Sequence, residues 1–582
     1  MKKNYLLGLL FLFAIARVTA QRGETKDTII DNILNIITDF YTRESNRDSV
    51  MNHPLGSNSE EDYLRRNVFY DSLYSALNRI DKSTLSPDGQ INLELLKYDA
   101  EDRISTYKYK SYLNPILADA GFHTTIAGMG SQILSTKKEF EDYIKKLQDI
   151  PRSVNERLAL MRKGLQLGIS QPKAILKGYE NTYEYHIVSD VEKSVFWKPF
   201  SKKPFAINDE DWKKIREEGK MAVKNYAIEA YKNIKTFFDK EYLPKTRTTI
   251  GVSNFPDGLA YYQDRTQYNT TTDLSYEQVY QIGLQEVARI KKEMQDVIKQ
   301  VNFKGSFQEF ITYLRTDPKF YATTPEQLLK EASYIAKKAD GMLPQFFTKL
   351  PRQPYGVEAV PAHLAPTYTA GRYFGALISS KSAGHYLVNT YDLKSRSLYT
   401  LEALTLHEAV PGHHLQNALR QELDSLPRFR RNFSVNAFGE GWGLYCEYLG
   451  TEMGFYKDSY SLFGKLTYEM WRACRLVLDV ALHTKGWTRE QGVQYLSENT
   501  ALSLHEVNTE INRYISWPGQ ALAYKVGELK IKEMRKRAEE KLKNKFDIRE
   551  FHDLVLSQGT VTLKILEEMV DRWIEYKLRL LQ

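Results

Sequence analysis

The sequence predicts a mainly α-helical, two-lobed protein with one small β-sheet. Three observations carry that expectation. Apolar residues recur at helical spacing through most of the 582 residues, hydroxyl residues followed three positions later by Gln mark helix starts, and strand-like runs are few. A chain this long exceeds what one simple core supports, so several domains or one two-lobed body is expected. With 42% hydrophobic and 26% charged residues, the composition is that of an ordinary globular protein, which excludes disordered and collagen-like classes.

The elements follow in chain order. Residues 1–20 read as a signal peptide: Lys2 and Lys3 form a basic start, residues 6–15 an apolar run, and Val18-Thr19-Ala20 a small-residue cleavage site before Gln21. The run is too short to span a bilayer, no later stretch is long enough, and no cysteine follows it to carry a lipid. The expected product is exported and soluble, periplasmic or secreted, with no membrane insertion. The chain's net charge of +8, about +5 once Lys2, Lys3 and Arg17 of the leader are removed, is too mild to indicate nucleic acid or a membrane surface. No feature points to a protein partner.

Ile29, Ile30, Ile33, Leu34, Ile37 and Tyr41 open an N-terminal helical lobe assigned to residues 21–245, with amphipathic stretches at 137–167 and 209–242. Between 243 and 258 the periodicity gives way to Pro, Gly and Thr, which marks a boundary with a second lobe, residues 246–582. There Ser275/Gln278, Thr324/Gln327 and Thr488/Gln491 signal helix starts, and Pro325 suits a first turn. Residues 355–360 and 385–391 are the best strands. The 39 tyrosines and 26 phenylalanines are read as helix packing.

Chemistry concentrates late in the chain. Two cysteines, Cys446 and Cys474, exclude a disulfide framework and a thiolate-rich zinc site. Eight of the 11 histidines follow residue 360; isolated ones such as His363 and His483 are read as satisfied polar residues. The run His407-Glu408-Ala409-Val410-Pro411-Gly412-His413-His414 is different. A zinc-hydrolase helix carries His-Glu-x-x-His because positions i and i+4 share a face, but here position i+4 is Pro411. On a straight helix His413 points roughly 120° from His407, and His414 lies roughly 10 Å along the axis. Pro411 lacks an N–H and crowds the carbonyl four back, that of His407, so the turn must bulge or kink at Pro-Gly. A two-residue bulge would return His413 to the i+4 place; the plain alternative is a helix end with surface histidines.

A third ligand is expected from Phe438-Gly439-Glu440-Gly441-Trp442-Gly443-Leu444-Tyr445-Cys446-Glu447. Glu440 sits between glycines that permit close approach. Glu447, seven residues on, shares its face and suits orienting a ligand imidazole. Two histidines and one carboxylate leave a fourth position for water, the pattern of a catalytic zinc.

HEAVPGHHLQ at 407–416, FGEGWGLYCE at 438–447 and RYISWPGQALAYKVG at 513–527 resemble the bacterial domain-of-unknown-function 885 family. That family in turn resembles the gluzincin zinc peptidases, including the carboxypeptidase Taq and angiotensin-converting-enzyme groups. The resemblance implies a two-lobed helical body with a deep cleft and a small sheet near the zinc helix. It implies one zinc per chain held by His407, His413 and Glu440, with Glu408 as general base. His413 is favoured over His414, which is left to orient a ligand or face substrate. Arg513-Tyr514 resembles the segment of the transition-state tyrosine, with His505 as its partner. Residues 381–391, including His385, are expected as an edge strand for an extended peptide. Glu447, Arg513, Tyr524 and Lys525 are further candidates for supporting the ligands or binding substrate, and Arg513, Lys525 or Arg372 for a terminal carboxylate.

The expected function is an exported zinc metallopeptidase of short peptides, a carboxypeptidase or dipeptidyl carboxypeptidase, working by Glu408-assisted attack of an activated water. Two alternatives stand beside it. One is a zinc hydrolase of a non-peptide amide or ester; the other is an exported, non-catalytic peptide- or glycan-binding protein.

Overall fold

A computed structural model describes residues 27–580 except 363, 364, 379 and 381. The expected signal peptide, His363 and Lys381 lie outside the described residues. The fold is mainly helical, with a single three-stranded sheet among the described residues. None of the described helices is long and apolar enough to cross a membrane. The chain divides at Gly258 into two compact units.

Among the described residues the first unit is helical, apart from one isolated bridge between Ile116 and Gly121. Helix α1 (Thr28–Val50) buries Ile30, Ile33 and Phe40, the apolar face read from the sequence. Helices α2 (Glu60–Leu77), α3 (Pro87–Lys108) and α4 (Lys137–Gln166) follow, and Ser59, Ser86 and Thr136 cap their first turns. The amphipathic stretch after residue 209 is a helix with two wide turns, residues 223–228 and 238–242.

The second unit carries the sheet and the long helices. Helix α5 (Tyr276–Gln300) starts at a reciprocal Ser275–Gln278 cap. Helix α6 (Pro325–Phe346) is capped by Thr324, while the Gln327 side chain reaches one residue further back, to Thr323. Strands β1 (Tyr355–Ala359), β2 (Gly371–Phe374) and β3 (Gly384–Val388) form a sheet in the order β1-β3-β2. β3 is parallel to β1 and antiparallel to β2, so it is the central strand. This corrects the expectation of an edge strand at 381–391: both hydrogen-bonding sides of β3 are taken. The true edge beside the site is β2, whose four residues are too short a run to read as a strand.

Helices α7 (Leu401–Glu408) and α8 (His413–Gln421) flank the Pro-Gly break, and α9 (Asn436–Leu449), α10 (Ser459–Thr484), α11 (Leu504–Ser516) and α12 (Leu522–Leu542) enclose it. Two glycines set how α9 crosses α12. A Cβ on Gly441 would lie 2.6 Å from Gly527 Cα, and one on Gly527 would lie 2.1 Å from the Ala437 carbonyl oxygen. Real side chains cannot approach backbone so closely, and any residue larger than Gly would force the pair apart. Because α9 carries Glu440, that crossing also sets where the carboxylate lies.

Candidate metal centre

Helix α7 is buried along its length and ends at Glu408. The chain then breaks for residues 409–412, through a cis Val410–Pro411 peptide, and restarts as α8 at His413. The His414 amide donates to the Ala409 carbonyl at 3.0 Å, one residue further back than a regular turn. Trp442 Nε1 donates to the Pro411 carbonyl at 2.9 Å and ties the break to α9. A side chain at residue 412 would meet the His407 carbonyl oxygen at 1.9 Å, so the tight return demands Gly412. The expected bulge is therefore a four-residue break between two helices, because Pro411 cannot serve the His407 carbonyl.

The break turns His413 back towards His407, with ring centroids 4.8 Å apart. Glu440 on α9 meets both: its Oε2 lies 3.5 Å from His407 Nε2 and 3.4 Å from His413 Nε2. One ligand atom from each of the three lies within 4.8 Å of the others. Four ligands at about 2.0–2.1 Å around a tetrahedral zinc stand about 3.3–3.4 Å apart. Two of the three separations match that spacing.

His407 is held from its other side. Its Nδ1 lies 2.7 Å from Glu447 Oε1, and Arg472 Nη2 approaches the same oxygen at 3.3 Å. Glu440 and Glu447 are two turns apart on one face of α9, so a single helix supplies both ends of the imidazole's environment. Gly443 between them gives the ring room: a Cβ there would come within 2.7 Å of it. Burial pushes the His407 imidazole down, but the carboxylates of Glu440, Glu447 and Glu408 outweigh it and raise it to about 10. Burial pulls the Glu440 carboxyl up, and the two imidazoles reverse this and hold it well below its ordinary value. The cluster is thus electrostatically built to hold positive charge, as protons or as a cation. Glu408 is buried beside it, accepting from the Tyr373 amide of β2 at 2.8 Å.

Other expected site residues fall elsewhere. His414 donates from Nε2 to the Gln353 carbonyl at 3.0 Å and accepts at Nδ1 from the Tyr373 hydroxyl at 3.1 Å. Burial pushes it down to about 4, so it is a neutral ring with both nitrogens engaged, propping β2 rather than facing Glu440. The Tyr514 hydroxyl accepts from Trp471 Nε1 at 2.8 Å and Arg475 Nε at 3.1 Å, deep in the core. His505 is exposed, nine residues and so about 13.5 Å along α11 from Tyr514, and cannot be its partner. His385 pairs with Glu358 on β1, at 2.9 Å. Lys525 is fully buried among Glu528 (2.6 Å), Glu469 (2.9 Å) and Glu286 (3.0 Å) and is closed to substrate. His483 is the satisfied core histidine expected of it, bonded to the Tyr514 carbonyl.

The tyrosine beside the triad is Tyr524. Its ring lies nearly parallel to that of His407, with centroids 6.5 Å apart, and its hydroxyl accepts from Arg513 Nη2 at 3.0 Å. Arg513 also reaches Gln520 at 2.8 Å and Glu510 at 3.4 Å. Three contributors carry no local signal in the sequence: Arg472, the Tyr373 amide, and Tyr368, whose buried hydroxyl has no partner and is pushed up by burial, with Arg372 opposing and the Glu408 charge adding to the rise. Each reaches the site from an element with no motif of its own.

Comparison with known proteins bears on the fold and the family. A solved structure from Colwellia psychrerythraea, described as a "putative lipoprotein", is 29% identical over 90% of this chain and 92% of its own, with a TM-score of 0.83. A second, from Shewanella oneidensis and described as a "putative lipoprotein of unknown function", shares the fold at 16% identity, with a TM-score of 0.70 over 93% of this chain and 99% of its own. No curated protein matches. The family model described as bacterial protein of unknown function (DUF885) matches residues 43–570, and the chain belongs to that family.

Proposed function

We propose that the protein is an exported, zinc-dependent hydrolase that cleaves short peptides, acting from their C-terminal end. The observation that supports the metal reading is the convergence of His407, His413 and Glu440, with Glu440 Oε2 at zinc-like distances from both imidazole nitrogens and the carboxylate of Glu408 next in chain to the first. A bound zinc ion would lower the pKa of water and polarise a carbonyl oxygen. Glu408, anchored by the Tyr373 amide, would take the proton of the attacking water and return it to the leaving amine. Tyr524, oriented by Arg513, would donate to the oxygen on which charge develops.

The motif resemblance to gluzincin peptidases favours a peptide bond over another amide or an ester. The outer edge of β2, beside Glu408 and with its Tyr373 amide already given to that carboxylate, is the sheet edge along which an extended chain would lie. Arg372 on that strand is exposed, and its guanidinium lies over the Tyr368 ring at 5.4 Å. The donors of Arg513 go to Glu510, Gln520 and Tyr524, which makes Arg372 the more available cation for a terminal carboxylate. Export is supported by the leader-like residues 1–20 and by the description of both structural relatives as lipoproteins. The test is incubation of the zinc-loaded protein with a mixed peptide library, cleavage being read by mass spectrometry. Stepwise loss of one or two residues from the C-terminus supports the reading; an intact library, with zinc bound, overturns it.

A further inference from the structure

The first unit holds a groove of about 930 Å³, at the upper end of the ~300–1,000 Å³ usual for ligand sites. It is lined by α1, α2, α3 and the start of α4, together with the loop 51–58, and shares no residue with the metal centre. Its composition is selective. Four tyrosines, four acidic side chains, four basic side chains and five Ser, Thr or Asn side chains line it, and none of the described lining residues is Leu, Ile, Val, Met or Phe. The charges cancel, so the groove has no pull on a polyanion or a polycation. Without aliphatic side chains it offers no seat for an acyl chain or for the apolar side chains of a peptide. Most of its wall is helix, whose main-chain groups are spent on one another and present no edge to an extended chain. These features suit a neutral ligand that is rich in hydroxyl groups and has a flat C–H face to lie on an aromatic ring.

The lining groups are set in place by residues behind them. The buried Tyr112 ring stacks on Tyr63 at 4.4 Å and on Tyr107 at 5.8 Å, which fixes the planes of both lining rings. Tyr41 on α1 is 45% exposed, and its hydroxyl is bonded to that of Tyr70 on α2. Arg65 Nε and Nη2 donate to the two oxygens of Glu44, each at 2.7 Å. Ser57 Oγ donates to Asp48 at 2.6 Å while accepting from His53 Nδ1 at 2.8 Å, and Arg66 Nη2 donates to the Ser57 carbonyl at 2.6 Å. Each carboxylate and the guanidinium still has hydrogen-bonding capacity for a hydroxyl group. Groups oriented before a ligand arrives lose less freedom when it binds.

We infer that this groove is a binding site for a neutral oligosaccharide, with the exposed Tyr41 ring as a platform for one sugar and Glu44, Asp48 and Arg66 as partners for its hydroxyl groups. The carboxylates accept from those hydroxyls and the guanidinium donates to them, a mixture that a polyol satisfies and a purely donating or purely accepting ligand does not. The site is independent of the metal reading: it lies wholly in the first unit, and none of its residues belongs to the triad. Binding there tethers a glycan without cleaving it.

The experiment is calorimetric titration of the full-length mature protein with maltohexaose, mannohexaose and chitohexaose, with hexaalanine as the peptide control. At least one sugar is expected to bind saturably, and hexaalanine to give no heat once a chelator has been added to silence the metal centre. The chelator should leave sugar binding unchanged. Tyr41→Ala should weaken it by roughly tenfold, the size of one lost aromatic contact, without moving the thermal midpoint, because the ring is exposed. Hydrogen exchange with and without the sugar should show protection in α1 and α2, which locates the site even if the variant does not fold. Absence of binding by all three sugars, unchanged affinity in Tyr41→Ala, or protection confined to the second unit would overturn the inference.

Discussion

Nδ1 of His407 and Oε1 of Glu447 stand 2.7 Å apart in a setting where both side chains are almost wholly buried. The carboxylate can only accept, so Nδ1 keeps its proton in the charged and the neutral ring alike, and once the second proton leaves the lone pair falls on Nε2, towards Glu440 and His413. Glu447 thereby selects the tautomer that a metal needs, although it touches no ligand position itself. Glu447→Gln should weaken zinc affinity by about 10- to 100-fold. Competition with a chromophoric chelator measures this, and unchanged affinity would remove Glu447 from the site.

Separating metal holding from proton transfer gives the second prediction. Glu408→Gln should keep one zinc per chain and reduce kcat by about 10²–10⁴-fold, because the amide cannot accept the proton. His407→Ala should lose both zinc and turnover. Metal content by mass spectrometry and a fluorogenic peptide assay read the two quantities independently.

The two tyrosines should part company. Tyr524→Phe should lower kcat by about 10²-fold, the size expected for one oxyanion donor, with little change in stability. Tyr514→Phe should instead cost about 1–3 kcal/mol in stability, because it strands the buried donors of Trp471 and Arg475, and should leave kcat near normal. Paired turnover assays and urea titrations decide it; the reverse assignment would restore Tyr514 as the donor.

Lys525 belongs to the frame, not to substrate binding. Glu469 also receives Lys465 at 2.6 Å and Arg289, so the cluster holds α5, α10 and α12 together through charge. Lys525→Met should destabilise the protein by about 3–5 kcal/mol, the cost of breaking a buried pair from one side. A loss of peptide affinity without a loss of stability would contradict this placement.

Acid should loosen the same region. Glu510 is held at about 2, burial being outweighed by Arg475 and Arg513. A depressed carboxyl contributes stability that is present above its unfolded pKa of about 4.5 and is lost as pH falls through the folded value. Stability should therefore drop between about pH 4.5 and pH 2, by about 3 kcal/mol from this group. Urea titrations at pH 5, 4 and 3 should show that slope, and Glu510→Gln should flatten it.

The sequence by itself determined the helical architecture, the break at Pro411-Gly412 and the identity of the side chains that meet around it. These depend on short-range rules: helical period, capping chemistry, a proline that denies its neighbour a donor, and two acids seven residues apart on one helix face. Tertiary structure decided the rest. His413 and His414 are adjacent and point about 100° apart on any helix, so only the packing of α8 against Gln353 and Tyr373 turns one inward to Glu440 and uses up the other. Tyr514, Tyr524 and Lys525 lie within twelve residues, and nothing in their spacing says which faces the triad. That follows from where α10 places Trp471, Arg475 and Glu469, charged and aromatic partners brought from dozens of residues away. A buried polar group is defined by its partners, and partners distant in the chain leave no mark on its local pattern.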